Sequence, residues 1–215
     1  MKAVIFDLDG VIIDSEPIYY EVDKTLMREW GYEITDEFLG RYVGAADAAM
    51  WSEVKDLFHL SCPLEEMMRK KKEYNRIFLA RADLQPIDGI RELLASLKQS
   101  GKKIGLASSS PKHFINGILK KLDLISCFQV LVSGDEVARS KPEPDIFLLA
   151  ARKLAVASAD CLVVEDSQLG VQAAKSAGMK CVGYLNPHSG HQDLSAADYL
   201  VSSIRDIPAD GERKS

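Results

Sequence analysis

An α/β fold, with a parallel sheet flanked by helices and interrupted by an all-helical insertion, is the class this sequence predicts. Three observations carry the prediction. From about residue 89 to residue 201, apolar runs alternate regularly with helical stretches, the pattern of a parallel sheet with helices on both faces. Ahead of them, residues 16–82 are rich in helical spacing and contain no segment that reads as a strand. The third observation is where the apolar runs end: each of three leads straight into a cluster of functional side chains.

The first strand comes from the apolar run Ala3-Val4-Ile5-Phe6 and is expected to reach Asp9, so that Asp7 and Asp9 project to the same side. Gly10 then allows a sharp turn. In the insertion, Tyr19, Val22, Leu26 and Trp30 fall at helical spacing, and Gly31 gives the stop. Asp36 starts a second helix, 47–58 forms a third, and Pro63-Leu64-Glu65-Glu66 opens a fourth, with Met67, Lys71, Tyr74 and Phe78 following. These aromatics and methionines read as the core of a helical bundle. The run Arg69-Lys70-Lys71-Lys72 reads as a solvated face. Beyond the insertion, helices are expected over 89–100, 112–122, 144–154 and 170–177, with Gly101 and Gly178 as stops. Strands are expected over 103–107, 129–133, 161–165 and 180–184, with 197–201 as an edge strand. Residues 209–215 form a polar tail. The links between insertion and core fall near 13–17 and 81–89.

Composition bounds the function. The chain has 215 residues, 47% of them hydrophobic, and a net charge of −5, so it can bury a core and carries no general basic field for nucleic acid. Cys62, Cys127, Cys161 and Cys181 show no CxxC or Cys/His spacing, and Cys161 and Cys181 read as buried thiols of a reducing compartment. His59, His113, His188 and His191 are scattered, with no metal partner at an obvious spacing. No apolar stretch approaches the ~20 residues of a membrane span, and Met1 leads directly into a strand, so the expectation is a cytoplasmic, monomeric protein without leader or anchor.

The strand-end clusters point to chemistry. Two carboxylates at one strand end repel unless a cation or a proton intervenes. Asp7, Asp9, Glu165 and Asp166 supply hard oxygen donors that suit Mg²⁺. Beside such a site, the Ser108 hydroxyl, local backbone N–H groups and the Lys141 ammonium can hold a phosphate. Asp7 or Asp9 is then a nucleophile for phosphoryl transfer, and the other carboxylate a general acid and base. The competing roles are structural: Ser108–Ser110 as a cap for the helix near Pro111, and Glu16 as a first-turn acid favoured by the helix dipole.

Asp7-Leu8-Asp9-Gly10-Val11-Ile12-Ile13-Asp14-Ser15 resembles the first motif of the haloacid dehalogenase superfamily. Ser108 resembles the second, Lys141 the third and Glu165-Asp166 the fourth. Ser140-Lys141-Pro142-Glu143-Pro144-Asp145 and the segment from Glu165 to Ala174 resemble the branch holding β-phosphoglucomutase and small sugar-phosphate phosphatases. The resemblance spans roughly residues 1–205 and implies a Rossmann-like catalytic core (1–14 and 85–215) with an inserted helical cap (15–84). It implies Asp7 as nucleophile and Mg²⁺ ligand, and Asp9 as general acid/base with its backbone carbonyl on the metal. Ser108, the Ser109 backbone and Lys141 would bind the phosphoryl group, with Asp166 on Mg²⁺ and Glu165 on it directly or through water. The substrate implied is a small phosphorylated metabolite, neither a nucleic acid nor a membrane. Within the branch, Asp14-Ser15-Glu16-Pro17 resembles the phosphatases. The mutases carry a histidine where Tyr19 stands and a cap arginine where Gly44-Ala45-Ala46-Asp47 offers none. A mutase is therefore the alternative, and a receiver-like phosphoacceptor module without turnover a more distant one.

Overall fold

The computed structural model describes residues 1–42, 47–81 and 83–208. Six strands form one parallel sheet: β1 (Ala3–Phe6), β2 (Lys103–Ser108), β3 (Val130–Ser133), β4 (Cys161–Glu165), β5 (Lys180–Tyr184) and β6 (Tyr199–Val201), in the order β3-β2-β1-β4-β5-β6. The helices between them are α5 (Ile90–Gln99), α6 (Lys112–Lys121), α7 (Asp145–Leu154) and α8 (Gln168–Ser176). The order reverses at β1, which passes to β2 on one side and has β4 on the other. With right-handed crossovers, chain running opposite ways from that point places α5 and α6 on one face and α7 and α8 on the other.

Packing follows from side-chain alternation. Ala3 and Ile5 of β1 join Ala107, Val132, Cys161, Val163 and Cys181 in one buried layer. Ile146, Phe147, Ala150 and Leu154 of α7 cover it, with Val171, Ala173 and Ala174 of α8. Val4 and Phe6 point to the opposite face, where the Phe6 ring meets Phe128 edge-on at 6.4 Å. Cys161 and Cys181 are buried free thiols, as expected.

The chain divides into two compact units. The sheet unit comprises residues 1–14, 84–187 and 192–215, and the helical unit 15–83 together with 188–191. The helical unit holds α1 (Glu16–Glu29), α2 (Asp36–Gly40), α3 (Asp47–Leu57) and α4 (Leu64–Arg81), with no strand among its described residues. Thr35 caps α2 by accepting from the Phe38 N–H at 3.2 Å. Val22, Leu26, Met27, Met50, Trp51, Val54 and Met67 form its core, with Trp30 set edge-on to Trp51 at 5.6 Å. Tyr74 and Phe78 pack against that core, so the aromatic and methionine spacing is core as expected.

Two expectations are corrected. The first strand ends at Phe6 rather than Asp9: after Asp7 the chain bends at Leu8, and the Gly10 N–H donates to the Ile13 carbonyl at 2.8 Å, which closes a turn over the residues expected to continue the strand. Lys71 is not part of a solvated face. It is buried, 3.0 Å from Asp23 on α1 and 2.7 Å from Asp47 at the start of α3. Burial works against its charge, but the two carboxylates outweigh that and raise its pKa above the usual lysine value. Its neighbours keep to the expected pattern: Lys70 pairs with Glu29 at 2.8 Å, and Arg69 lies near Glu66 and Glu73 at the surface. Of the segment singled out for its missing arginine, Gly44-Ala45-Ala46 lies outside the described residues, while Asp47 is the partner of Lys71.

Candidate active site

Open parallel sheets bind ligands beyond the carboxyl ends of their strands, where the strand order reverses. Here that place lies between β1 and β4. In the ladder Phe6 pairs with Leu106 on one side and Val164 on the other, so the next residues along are Asp7, Ala107 and Glu165. Asp7 is held at the strand end by its N–H, which donates to the Val164 carbonyl at 3.1 Å.

The centre of the site is a buried ion-paired triad. The Lys141 Nζ lies 2.7 Å from Asp7 Oδ1 and also hydrogen-bonds Glu165 Oε1, and it sits 5.1 Å above the Phe147 ring. Asp7 is nearly buried and Glu165 fully so. Burial pushes the Asp7 carboxyl up to about 7, with Glu165 and Asp9 adding repulsion and Lys141 opposing it. Burial disfavours charge on Lys141 as well, but Asp7 and Glu165 outweigh it and keep the ammonium protonated well above its ordinary range.

Glu165 has a second set of partners. Its Oε2 accepts from the Asp166 N–H, the Ser167 N–H and the Ser167 hydroxyl, each at 3.0 Å. Ser167 also caps α8 by accepting from the Gly170 N–H at 3.1 Å, which is why this helix starts two residues earlier than its spacing suggests. The Glu165 carboxylate then lies directly on Gly170, where a Cβ would stand 1.9 Å from Oε1, so only glycine fits there. Gly10 is a comparable contact: its φ is +75°, and a Cβ would lie 1.8 Å from Asp166 Oδ2. The turn after Asp7 and the carboxylate of Asp166 are thus packed against each other.

The serines after β2 are placed differently from one another. Ser108 is buried, Ser109 exposed and Ser110 half-buried. None of them caps α6, which begins at Lys112 with Pro111 at its N-cap and no side-chain cap bond, so the capping role is overturned. The Ser108 Oγ instead accepts from the Ser110 N–H at 3.1 Å and lies 3.5 Å from Asp9 Oδ2, and the Ser110 hydroxyl donates to that same Asp9 oxygen at 2.8 Å. Asn186, two residues past β5, was not singled out in the sequence. Its buried Nδ2 donates to the Gly10 carbonyl at 2.9 Å and pins the acidic turn. Its signal was its position just beyond a strand's carboxyl end. Glu16 opens α1, as its first-turn role requires.

All the sequence-derived core candidates, Asp7, Asp9, Ser108, Ser109, Lys141, Glu165 and Asp166, therefore stand at or just beyond the carboxyl ends of β1, β2 and β4 or, for Lys141, reach them by contact. Among the described residues, no three of the His, Cys, Asp and Glu side chains are gathered in ready metal-ligand geometry. The donor set nevertheless fits a hard divalent cation. Asp7 and Glu165 share the one Lys141 ammonium, Asp9 lies beside Asp7 in the same turn, and Asp166 is packed onto that turn.

Residues 4–184 match the profile of haloacid dehalogenase-like hydrolases. The chain is 35% identical to a protein named phosphorylated carbohydrates phosphatase from Thermotoga maritima, over 84% of this chain and 83% of that protein. It is 36% identical to a beta-phosphoglucomutase of Bacillus subtilis, over 96% and 92%. Its fold superimposes on a crystal structure of beta-phosphoglucomutase from Clostridium difficile with a TM-score of 0.80, at 30% identity over 97% and 93% of the two chains. The profile match runs from the second residue of β1 to the last of β5, taking in every strand whose end builds the site, and on it the chain belongs to the haloacid dehalogenase-like hydrolase family.

Proposed function

We propose that this protein is a Mg²⁺-dependent phosphomonoesterase that hydrolyses a small phosphorylated carbohydrate through an aspartyl-phosphate intermediate, as a cytoplasmic monomer. The observation that carries the reading is the buried Asp7 at the sheet's reversal point, ion-paired to Lys141 at 2.7 Å. Asp7 attacks phosphorus, forming an O–P bond as the bond to the leaving oxygen breaks. Asp9 gives that oxygen a proton and later takes one from the attacking water. Ser108, the Ser109 backbone N–H and Lys141 hold the phosphoryl oxygens. Asp7, the Asp9 carbonyl and Asp166 would hold Mg²⁺, with Glu165 bound directly or through water. When bound, the metal offsets the charge of the transferring group. Residues 15–84 are the cap that selects the leaving group.

Hydrolysis is favoured over phosphohexose isomerisation by the cap's charges. By the resemblance, the segment ending in Asp47 lacks the cation that the mutases carry for a second phosphate, and the charge of Lys71 is already shared by Asp23 and Asp47. A bisphosphate there meets like charge.

The test is phosphate release from a panel of sugar, polyol and nucleotide phosphates, with Asp7→Asn as the blank. Release that the blank lacks supports the reading. No release, but conversion of β-glucose 1-phosphate to glucose 6-phosphate after a bisphosphate primer is added, overturns it in favour of the mutase. Two further outcomes are expected on the best substrate. Chelation by EDTA should abolish release, and Mg²⁺ should restore it, as phosphate assays before and after metal replacement will record. Asp9→Asn should lower kcat by roughly 10²–10⁴-fold, the usual share of a general acid and base.

A further inference from the structure

The Ser110 hydroxyl is spent on Asp9 although the ordinary use for a serine before a helix was at hand. It donates to Asp9 Oδ2 at 2.8 Å, while its own N–H donates to Ser108 Oγ at 3.1 Å. One residue thus ties the carboxylate of the acidic turn to the hydroxyl at the end of β2. The segment that follows is anchored too, because the Lys112 N–H donates to Asp135 Oδ2 at 3.0 Å. Ser110 is only half-buried and makes no cap bond to α6, so the structure of that helix does not require its hydroxyl.

We infer that Ser110 is a positioning residue for Asp9, aiming its carboxyl group for proton transfer to the leaving oxygen. The inference rests on the phosphomonoesterase reading and adds a residue to it. The Ser110 hydroxyl donates to Asp9 Oδ2 and so fixes the rotation of the carboxyl group beside the end of β2. In the first step the Asp9 proton passes to the leaving oxygen as the P–O bond breaks and its electron pair moves to the same oxygen. Asp9 is left as a carboxylate, and the Ser110 hydrogen bond strengthens as that charge develops. In the second step Asp9 takes a proton from the attacking water as the water oxygen bonds to phosphorus and the Asp7 O–P bond breaks, its electron pair returning to Asp7. The starting state is then restored.

The experiment compares kcat/KM on two substrates, the best hexose phosphate of the panel and 4-nitrophenyl phosphate. This ratio covers steps up to leaving-group departure. The hexose oxygen needs a proton to leave; nitrophenolate departs as a stable anion. Ser110→Ala should lower kcat/KM on the hexose phosphate by about tenfold, through kcat, the size of one lost hydrogen bond to a charged group. On 4-nitrophenyl phosphate it should stay near wild type. Ser110→Thr, which keeps the hydroxyl, should restore the hexose phosphate rate, and an unchanged thermal midpoint for Ser110→Ala will show that the fold is retained. An equal loss on both substrates overturns the inference, as does no loss on either. A gain in rate also overturns it, because the bond would then hold Asp9 away from its work. If wild type itself releases phosphate from neither substrate, the phosphatase reading falls and the positioning role with it. If wild type is active and Ser110→Ala matches it, only the positioning role falls.

Discussion

Asp7→Asn is expected to abolish phosphate release, with a loss of about 10⁴-fold or more on the best substrate, the scale on which removal of a covalent nucleophile is felt. The amide has nearly the volume of the carboxylate and sits at the same strand end, so the change is chemical rather than steric. It lacks the anionic oxygen that attacks phosphorus, and it is a weak ligand for a hard cation. Lys141 keeps Glu165 as a partner in the variant, so the triad loses one of its two carboxylates and not its buried cation. Steady-state release with Mg²⁺ present, beside a thermal melt showing a folded protein, is the measurement. A folded Asp7→Asn protein that turns over at the wild-type rate would show that another group is the nucleophile.

What could be read in the sequence was what is local to the chain. Apolar runs that end in Asp7, Ser108 and Glu165 mark the carboxyl ends of strands, and turns and helix stops mark the alternation, so sheet and site emerged together. Pairings between distant segments were not written in any local pattern. Ser110 sits where serines cap helices, and nothing within a few residues shows that Asp9, 101 positions away, takes its hydroxyl instead. Lys71 lies in a run of four cations that looks solvated, and it is buried only because α1 and α3 bring Asp23 and Asp47 to it. The strand that stopped short at Phe6 has the same origin. Asp7 still makes one hydrogen bond to β4, but beyond it the Gly10–Ile13 hydrogen bond and the Asp166 carboxylate against Gly10 favour the turn. Asn186 escaped notice because its partner is a backbone carbonyl, which leaves no trace in sequence.

Lys141→Met should strongly destabilise the sheet unit. Methionine fills much of the lysine's volume and can keep the contact with Phe147, but it leaves Asp7 and Glu165 facing one another without their shared cation. Removing one partner from a buried ion pair costs about 3–5 kcal/mol. The loss carries a pH signature whose sign follows from proton binding. The Asp7 carboxyl stands at about 7 in the folded protein against 3.8 for an ordinary aspartate, raised chiefly by burial, and without Lys141 it rises further. Between the two values the folded state binds the extra proton, so its stability falls as pH rises. The deficit of Lys141→Met relative to wild type should therefore be smaller near about pH 5 than near about pH 8. Mg²⁺ should recover part of it at the higher pH, since a cation that binds only the folded site stabilises by mass action. Urea melts of both proteins at the two pH values, with and without Mg²⁺, measure all three effects. A deficit that is small and flat with pH would mean that the two carboxylates do not depend on Lys141, and the charge balance drawn for the site would be wrong.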